Sequence, residues 1–282
     1  MFDIIACPYC HEPLCNLRCQ RCELQYYKSN VTNSYHIYNE LSDHWRICQE
    51  QIEALKLLDP GHENEGSHDN IDYPYNDLEG ASLAQRANAG MLNVAIDLLG
   101  ETLFNAKYGL DIGAFHGWAS FQLSKYCQMI ALDISDHSYY GLGSIPSINN
   151  GIYKVVGDGC KLPFLDNSLD FIIMVSSLHH LHDRKGGVEE ASRVLKPLGK
   201  FIAMGECPQP IELFEQLMND GIRDYEGVPY TKETLYDIIS PFKGEISILP
   251  FTYSYHMGYL GYYSLVNQGA ASNNIIYGVK DG

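Results

Sequence analysis

The chain has 282 residues, a formal net charge of −16 and 45% hydrophobic residues. That is enough apolar material for one large core with a small appendage, and too little in any single run for a membrane-spanning helix. So acidic a molecule repels phosphate backbones unless it carries a local basic patch, which weighs against general nucleic-acid binding.

The first feature in chain order is "CPYCHEPLCNLRCQRC", Cys7 to Cys22. Cys7 and Cys10 form one C-x-x-C knuckle, and Cys19 and Cys22 form a second after eight intervening residues. Two such knuckles offer four soft thiolates at the spacing of a small, closed zinc site. Cys15 is left as a spare thiol and His11 as a neighbour. Nine cysteines in a chain of this length fall short of a disulfide scaffold, and an odd count fits metal ligation plus free thiols. A thioredoxin-like redox pair would need a βαβ setting, and an iron–sulfur cluster would announce itself by colour. The start "MFDIIACPYC" lacks the basic segment of a signal peptide, so a cytoplasmic location is expected.

Downstream, Asp43–Leu58 has near-helical apolar spacing. Asp59–Glu79 holds seven acidic residues and no Lys or Arg, and reads as an exposed loop or a lid. Ser82–Phe104 is a second helix candidate with Ser82 as N-cap. Strands are expected at 108–113, 128–134, 151–157, 169–176, 199–205, 245–251 and 274–280. The first five are continuous apolar runs, the pattern of strands covered on both faces. Helical patterns such as "WASFQLSKYC" and "GGVEEASRVLK" fall between them. The expected fold is therefore α/β, a doubly wound, mostly parallel seven-stranded sheet preceded by a small zinc ribbon. Three segments follow: 1–38 the ribbon, 39–107 a helical bridge with the acidic loop, and 108–282 the sheet domain.

In such a sheet ligands bind beyond the carboxyl ends of the strands, where strand order reverses. "DIGAFHGWAS" after the first strand puts Asp111, Gly113 and Gly117 there, with glycines that let backbone approach a ligand. Asp133 ends the second strand twenty-two residues later, at the place of a carboxylate gripping a ribose diol. Asp158, in "GDGCKLPF", ends the third and sits where an adenine edge is read.

These motifs, in order and spacing, resemble the class I S-adenosylmethionine-dependent methyltransferases of the small-molecule, ubiquinone-biosynthesis-like type. The resemblance rests on "LDIGAFHGWAS", "ALDIS", "GDGCKLPFLDNSLDFIIMVSSLHHLHD" and "EEASRVLKPLGKFI", and covers about residues 105–205. It implies S-adenosylmethionine as cofactor, held by Asp111, Gly113, Ala114, Phe115, Gly117, Asp133, Ile134, Asp158, Gly159 and Ser176. It also implies an acceptor-side base among the histidines of "SSLHHLHD", His180 at the recurrent position with His179 beside it. Glu206, past the fifth strand, faces the same crevice. The family has Gly where Phe115 and Leu198 stand; a side chain at Phe115 in a left-handed conformation would be costly.

The N-terminus resembles the zinc ribbon of some ribosomal RNA guanine methyltransferases. Residues 1–30 are nevertheless charge-neutral, with Arg18, Arg21 and Lys28 offset by Asp3, Glu12 and Glu23. An RNA reader shows a basic footprint. The expected function is methylation of a small molecule, such as O-methylation assisted by a histidine, with structural zinc in the ribbon. The alternatives are an RNA base methyltransferase and a non-catalytic binding protein on the same fold. A tail rich in tyrosines (Tyr253, Tyr255, Tyr259, Tyr262, Tyr263) reads as a stacking wall or as strand residues. Neither acceptor nor oligomeric state is legible.

Overall fold

A computed structural model of the chain describes residues 3–38, 46, 50, 83–137, 141–145, 151–206, 232–250 and 274–282. The expected helix at 43–58 falls outside the described residues apart from Arg46 and Glu50, both helical, and the acidic loop, the Ser82 cap and the tyrosine tail lie outside them altogether.

The strands are β1 (Tyr27–Lys28), β2 (Tyr35–His36), β3 (Tyr108–Ile112), β4 (Gln128–Asp133), β5 (Ile152–Val156), β6 (Leu169–Val175), β7 (Leu195–Glu206), β8 (Gly244–Pro250) and β9 (Asn274–Lys280). They form one sheet in the order β1-β2-β5-β4-β3-β6-β7-β9-β8. Strands β5, β4, β3, β6 and β7 run parallel, and β9 joins β7 antiparallel and pairs with β8. The chain steps outward from β3 through β4 to β5, then returns to β6 on the other side of β3. That reversal creates the crevice. All seven strands expected from the sequence are present.

The N-terminal segment adds two more. β2 pairs in parallel with β5, Tyr35 opposite Val155 and His36 opposite Val156, and β1 pairs antiparallel with β2. Nothing in a two-residue strand advertises itself by periodicity, which is why the sequence did not yield it.

The helices are α1 (Leu83–Leu99), α2 (Glu101–Asn105), α3 (Trp118–Leu123), α4 (Arg184–Val194) and α5 (Lys232–Ile239). The single helix expected over 82–104 is broken at Gly100, which takes φ 50°. On one face of the sheet Met91, Leu92, Ala95 and Leu99 of α1 pack with Leu123 of α3 against Met129, Phe171, Ile173 and Ile202. Strand alternation sends Leu110, Ile112, Ile130, Leu132, Val155 and Ile172 to the opposite face.

There α4 and α5 cover one half, through Val188, Ala191, Val194, Leu235 and Ile238, and the N-terminal segment covers the other through Ile4, Ile5, Cys7, Cys19 and Tyr26. The segment fills space beside the connection 157–168 between β5 and β6, which carries no helix. Main-chain bonds tie the two: Ala6 N donates to Pro163 O and Leu165 N to Ile4 O. Arg193 holds the same connection from the other side, donating to the carbonyls of Phe164 and Leu162 while pairing with Glu190 and Asp166.

Candidate functional site

The loop after β3 is shaped by two glycines. Gly113 has φ 72°, and a Cβ there would stand 2.5 Å from the Cβ of Ser177 after β6. Gly117, also φ 72°, would meet Ile145 Cδ1 at 2.5 Å. The loop is drawn against the end of β4 by Gly113 N and Ala114 N, both donating to Leu132 O. Phe115 adopts φ 47°, the left-handed conformation that costs a side chain about 1–2 kcal/mol. Its ring is turned outward, 41% exposed, and stacks on His116 at 3.8 Å. The backbone thus follows the course a glycine would take.

Asp133 closes that loop. Its Oδ2 accepts from Phe115 N at 2.9 Å and its Oδ1 from Ser135 N at 3.0 Å, leaving each oxygen a further lone pair for a ligand hydroxyl. Burial pushes its carboxyl up to about 6. Ile134 beside it is half-buried. Asp111, on β3, is 1% exposed; its Oδ2 accepts from Ser120 Oγ at 2.7 Å, and its Oδ1 has no partner among the described residues. Burial, with Asp133 adding to it, pushes Asp111 up to about 7.

At the end of β5, Asp158 Oδ1 accepts from Cys160 N at 2.8 Å, and His182 Nδ1 lies 4.0 Å from the same oxygen. Burial pushes the Cys160 thiol well up, and it donates to Asp183 O at 3.3 Å. Gly159 is close-packed, with Leu181 Cδ2 2.8 Å from where a Cβ would stand.

After β6 the chain turns through Ser176, φ 49°, into a 3-10 turn over Leu178–His180. Ser177 Oγ donates to Ile112 O at 2.6 Å, binding this turn to the β3 loop. His179 is buried, its Nδ1 3.1 Å from Oε2 of Glu206, which is fully buried at the end of β7. Glu206 Oε1 accepts from Leu178 N at 3.1 Å, and Arg184 donates to His179 O through Nε and Nη2. His180 is exposed, its ring tilted beside that of His179 at 4.4 Å. The crevice therefore collects Asp111, Asp133, Asp158 and the β3 loop on one side of the reversal, and Ser176, His179, His180 and Glu206 on the other.

The four cysteines of the two knuckles also come together. Their sulfurs lie within 4.8 Å of one another, with Cys10 Sγ 3.5 Å from Cys19 Sγ. The knuckles have matching backbones. The residue after each second cysteine is left-handed, His11 at φ 59° and Glu23 at φ 58°, and Cys7 N and Cys19 N donate to Glu12 O and Leu24 O, both at 2.9 Å. Cys10 first, then burial, pushes the Cys22 thiol up to about 12, a repulsion that a bound cation relieves. This donor set fits a tetrahedral zinc ion. Cys15 is exposed and outside the set, and His11 Nε2 lies 3.9 Å from Glu190.

One group of polar residues escaped the sequence reading. His36 at the end of β2 is buried, and its Nε2 lies 2.9 Å from Oδ2 of Asp136, in the loop just past Asp133. Thr32 and Ser34 donate to the same oxygen. The pairing of His36 with Asp136 depends on the register of β2 against β5, which no local pattern in the sequence marks.

A family profile described as "Methyltransferase domain" matches residues 110–203, the span that carries the loops after β3, β4, β5 and β6. Residues 110–203 are thus similar to a methyltransferase domain.

Curated relatives are similar to part of the chain. Demethylmenaquinone methyltransferase of Corynebacterium glutamicum is 42% identical over 60 residues, 21% of this chain and 26% of the relative. The ubiquinone/menaquinone biosynthesis C-methyltransferase of Rickettsia typhi is 32% identical over 105 residues, 34% of this chain and 42% of the relative. The chain thus spans well under half the length of these relatives. Among solved structures, geranyl diphosphate C-methyltransferase from Streptomyces coelicolor superposes with a TM-score of 0.55 at 12% identity, covering 68% of this chain and 79% of that one. Phosphoethanolamine N-methyltransferase 2 of Haemonchus contortus, in complex with S-adenosyl-L-methionine, gives 0.51 at 16%, covering 67% and 53%. These likenesses show the fold. No described helix is long and apolar enough to cross a membrane.

Proposed function

We propose that the chain transfers a methyl group from S-adenosylmethionine to a hydroxyl, or to a carbon activated by a neighbouring hydroxyl, on a small molecule. The observation that carries this reading is the His179–Glu206 pair beside the strand-order reversal. The relatives named for menaquinone and ubiquinone biosynthesis support a small-molecule acceptor.

S-adenosylmethionine, when bound, supplies an electrophilic methyl group on a sulfonium. Asp133 accepts from the ribose hydroxyls, and Asp158 with the Gly159 amide faces the adenine. Gly113, Ala114, Phe115 and Gly117 line the methionine end with backbone, and Asp111 supplies negative charge beneath it. Methyl transfer to a hydroxyl needs its proton removed, and His179 is the base. Glu206 accepts the Nδ1 proton, so the basic lone pair of the imidazole is on Nε2, and the carboxylate stabilises the imidazolium that forms. His180, exposed beside His179, borders the acceptor. Zinc held by Cys7, Cys10, Cys19 and Cys22 is structural, since four protein ligands leave no open position.

The test is methyl transfer from methyl-labelled S-adenosylmethionine by the full chain to a panel of phenols, catechols and hydroquinones. Label in an organic-extractable product, lost in His179→Ala, supports the reading. Turnover that His179→Ala leaves unchanged contradicts His179 as base.

A further inference from the structure

His36 and Asp136 are a hundred residues apart in sequence, yet they make a part-buried polar junction between the N-terminal ribbon and the loops of the cofactor crevice. Parallel pairing of β2 with β5 sets His36 opposite Val156, and Val156 lies opposite Asp133. One row across the carboxyl ends of the strands therefore runs from the ribbon to the Asp133 carboxylate.

The junction is densely satisfied. Asp136 Oδ2 accepts from Thr32 Oγ1 at 2.8 Å and Ser34 Oγ at 3.2 Å, as well as facing His36 Nε2. Because a carboxylate only accepts, Nε2 bears a proton and Nδ1 faces the phenols of Tyr27 at 3.0 Å and Tyr38 at 3.2 Å. The Tyr27 ring stacks on the imidazole at 4.5 Å. Tyr38 then packs on the cluster of Ala114, Ala131, Leu142, Ile145 and Val156, which includes a residue of the β3 loop. On the other side, Asp136 follows Ser135, whose amide donates to Asp133 and whose carbonyl accepts from Leu142 N at 3.0 Å. From His36 to the Phe115 amide there is an unbroken series of contacts through Asp136, Ser135 and Asp133.

We infer that His36 is a positioning residue for the nucleoside end of the cofactor site: through Asp136 the ribbon fixes the loop that follows Asp133. The ribbon then completes a binding wall that the methyltransferase domain lacks at its β5 edge. This rests on the reading of Asp133 as the ribose ligand. It also gives the zinc clasp a purpose within the same chain, since Cys7 and Cys19 share a hydrophobic cluster with Tyr35, Ile37, Leu132 and Val155.

The experiment is calorimetric titration of the full chain, wild type and variants, with adenosine and with S-adenosylhomocysteine, alongside each variant's melting temperature. His36→Ala and Asp136→Asn each weaken both ligands about tenfold, and the double variant is no weaker than either single, because both remove one link. His36→Gln, which keeps a donor for Asp136, recovers part of the loss. Ile4→Ala, in the ribbon's apolar contact and outside the hydrogen bonds of the junction, lowers the melting temperature and leaves both affinities unchanged. Where His36→Ala does not fold, Asp136→Asn reads the same link. Variants that bind as wild type does, or an Ile4→Ala that weakens binding equally, overturn the inference alone. A wild-type chain that binds neither ligand overturns the cofactor reading, and the inference with it.

Discussion

His179 Nδ1 lies 3.1 Å from Glu206 Oε2, and both groups are buried. Such a pair fixes tautomer and ring orientation together. Glu206→Gln keeps the size and removes the charge that stabilises the imidazolium. Its kcat is expected to fall by about 10²-fold with KM for S-adenosylmethionine unchanged, as for loss of general-base assistance. His180→Ala, on the exposed neighbour, is expected to retain rates within about threefold. Steady-state kinetics with both substrates varied checks the split, and equal losses in the two variants would contradict it.

Asp111 predicts a pH dependence of stability. Burial raises its carboxyl from 3.8 to about 7, so between those values the folded chain holds more protons than the unfolded one. Its contribution to stability is therefore present at low pH and declines as pH rises through this window. Asp111→Asn removes the charged form. The variant is expected to match wild type near pH 4 and to exceed it by about 2–4 kcal/mol at pH 8. Urea unfolding at several pH values measures this, and parallel pH profiles would count against it.

Phe115 and Leu198 take φ 47° and 63°, left-handed conformations that favour glycine. Leu198 is 66% exposed, so its side chain has little packing to lose. Leu198→Gly is expected to stabilise by about 0.5–1 kcal/mol, the relief of left-handed strain exceeding glycine's added chain entropy. Phe115→Gly is expected to gain similarly, and to alter cofactor affinity by less than about threefold because the amide that reaches Asp133 is retained. Thermal melts and titration test both.

Removal of zinc from the clasp is expected to destabilise the whole domain, because Cys7 and Cys19 belong to the cluster that also buries Leu110 and Ile112. Cys19→Ser should lower the melting temperature by about 10 °C or more, and Cys15→Ser should not change it. Metal analysis should return one zinc per chain. Loss of metal with no change in unfolding would contradict a shared core.

Much of the crevice was legible because its chemistry is local in sequence. Asp133 and Asp158 follow apolar runs and Asp111 lies within one, and the glycines and the histidine-rich turn sit at short offsets from them. The clasp was legible for the same reason. What was hidden depends on long-range register. Glu206 stood out as facing the crevice, but its bond to His179 needs β6 and β7 in place. Likewise, His36 meets Asp136 only once a two-residue strand has paired with β5, and no periodicity marks so short an element. The left-handed backbone at Phe115 was foreseen only as a cost. The structure accommodates it by turning the ring out onto His116.

On the proposed reading, the loops beyond β3, β4 and β5 bind S-adenosylmethionine through the Asp133 carboxylate. Calorimetric titration of the full chain with S-adenosylmethionine, wild type beside Asp133→Ala, measures it directly. Saturable heat for wild type at one site per chain, lost in Asp133→Ala, is the expected result. No heat from a folded wild-type chain, or equal binding by Asp133→Ala, would contradict it.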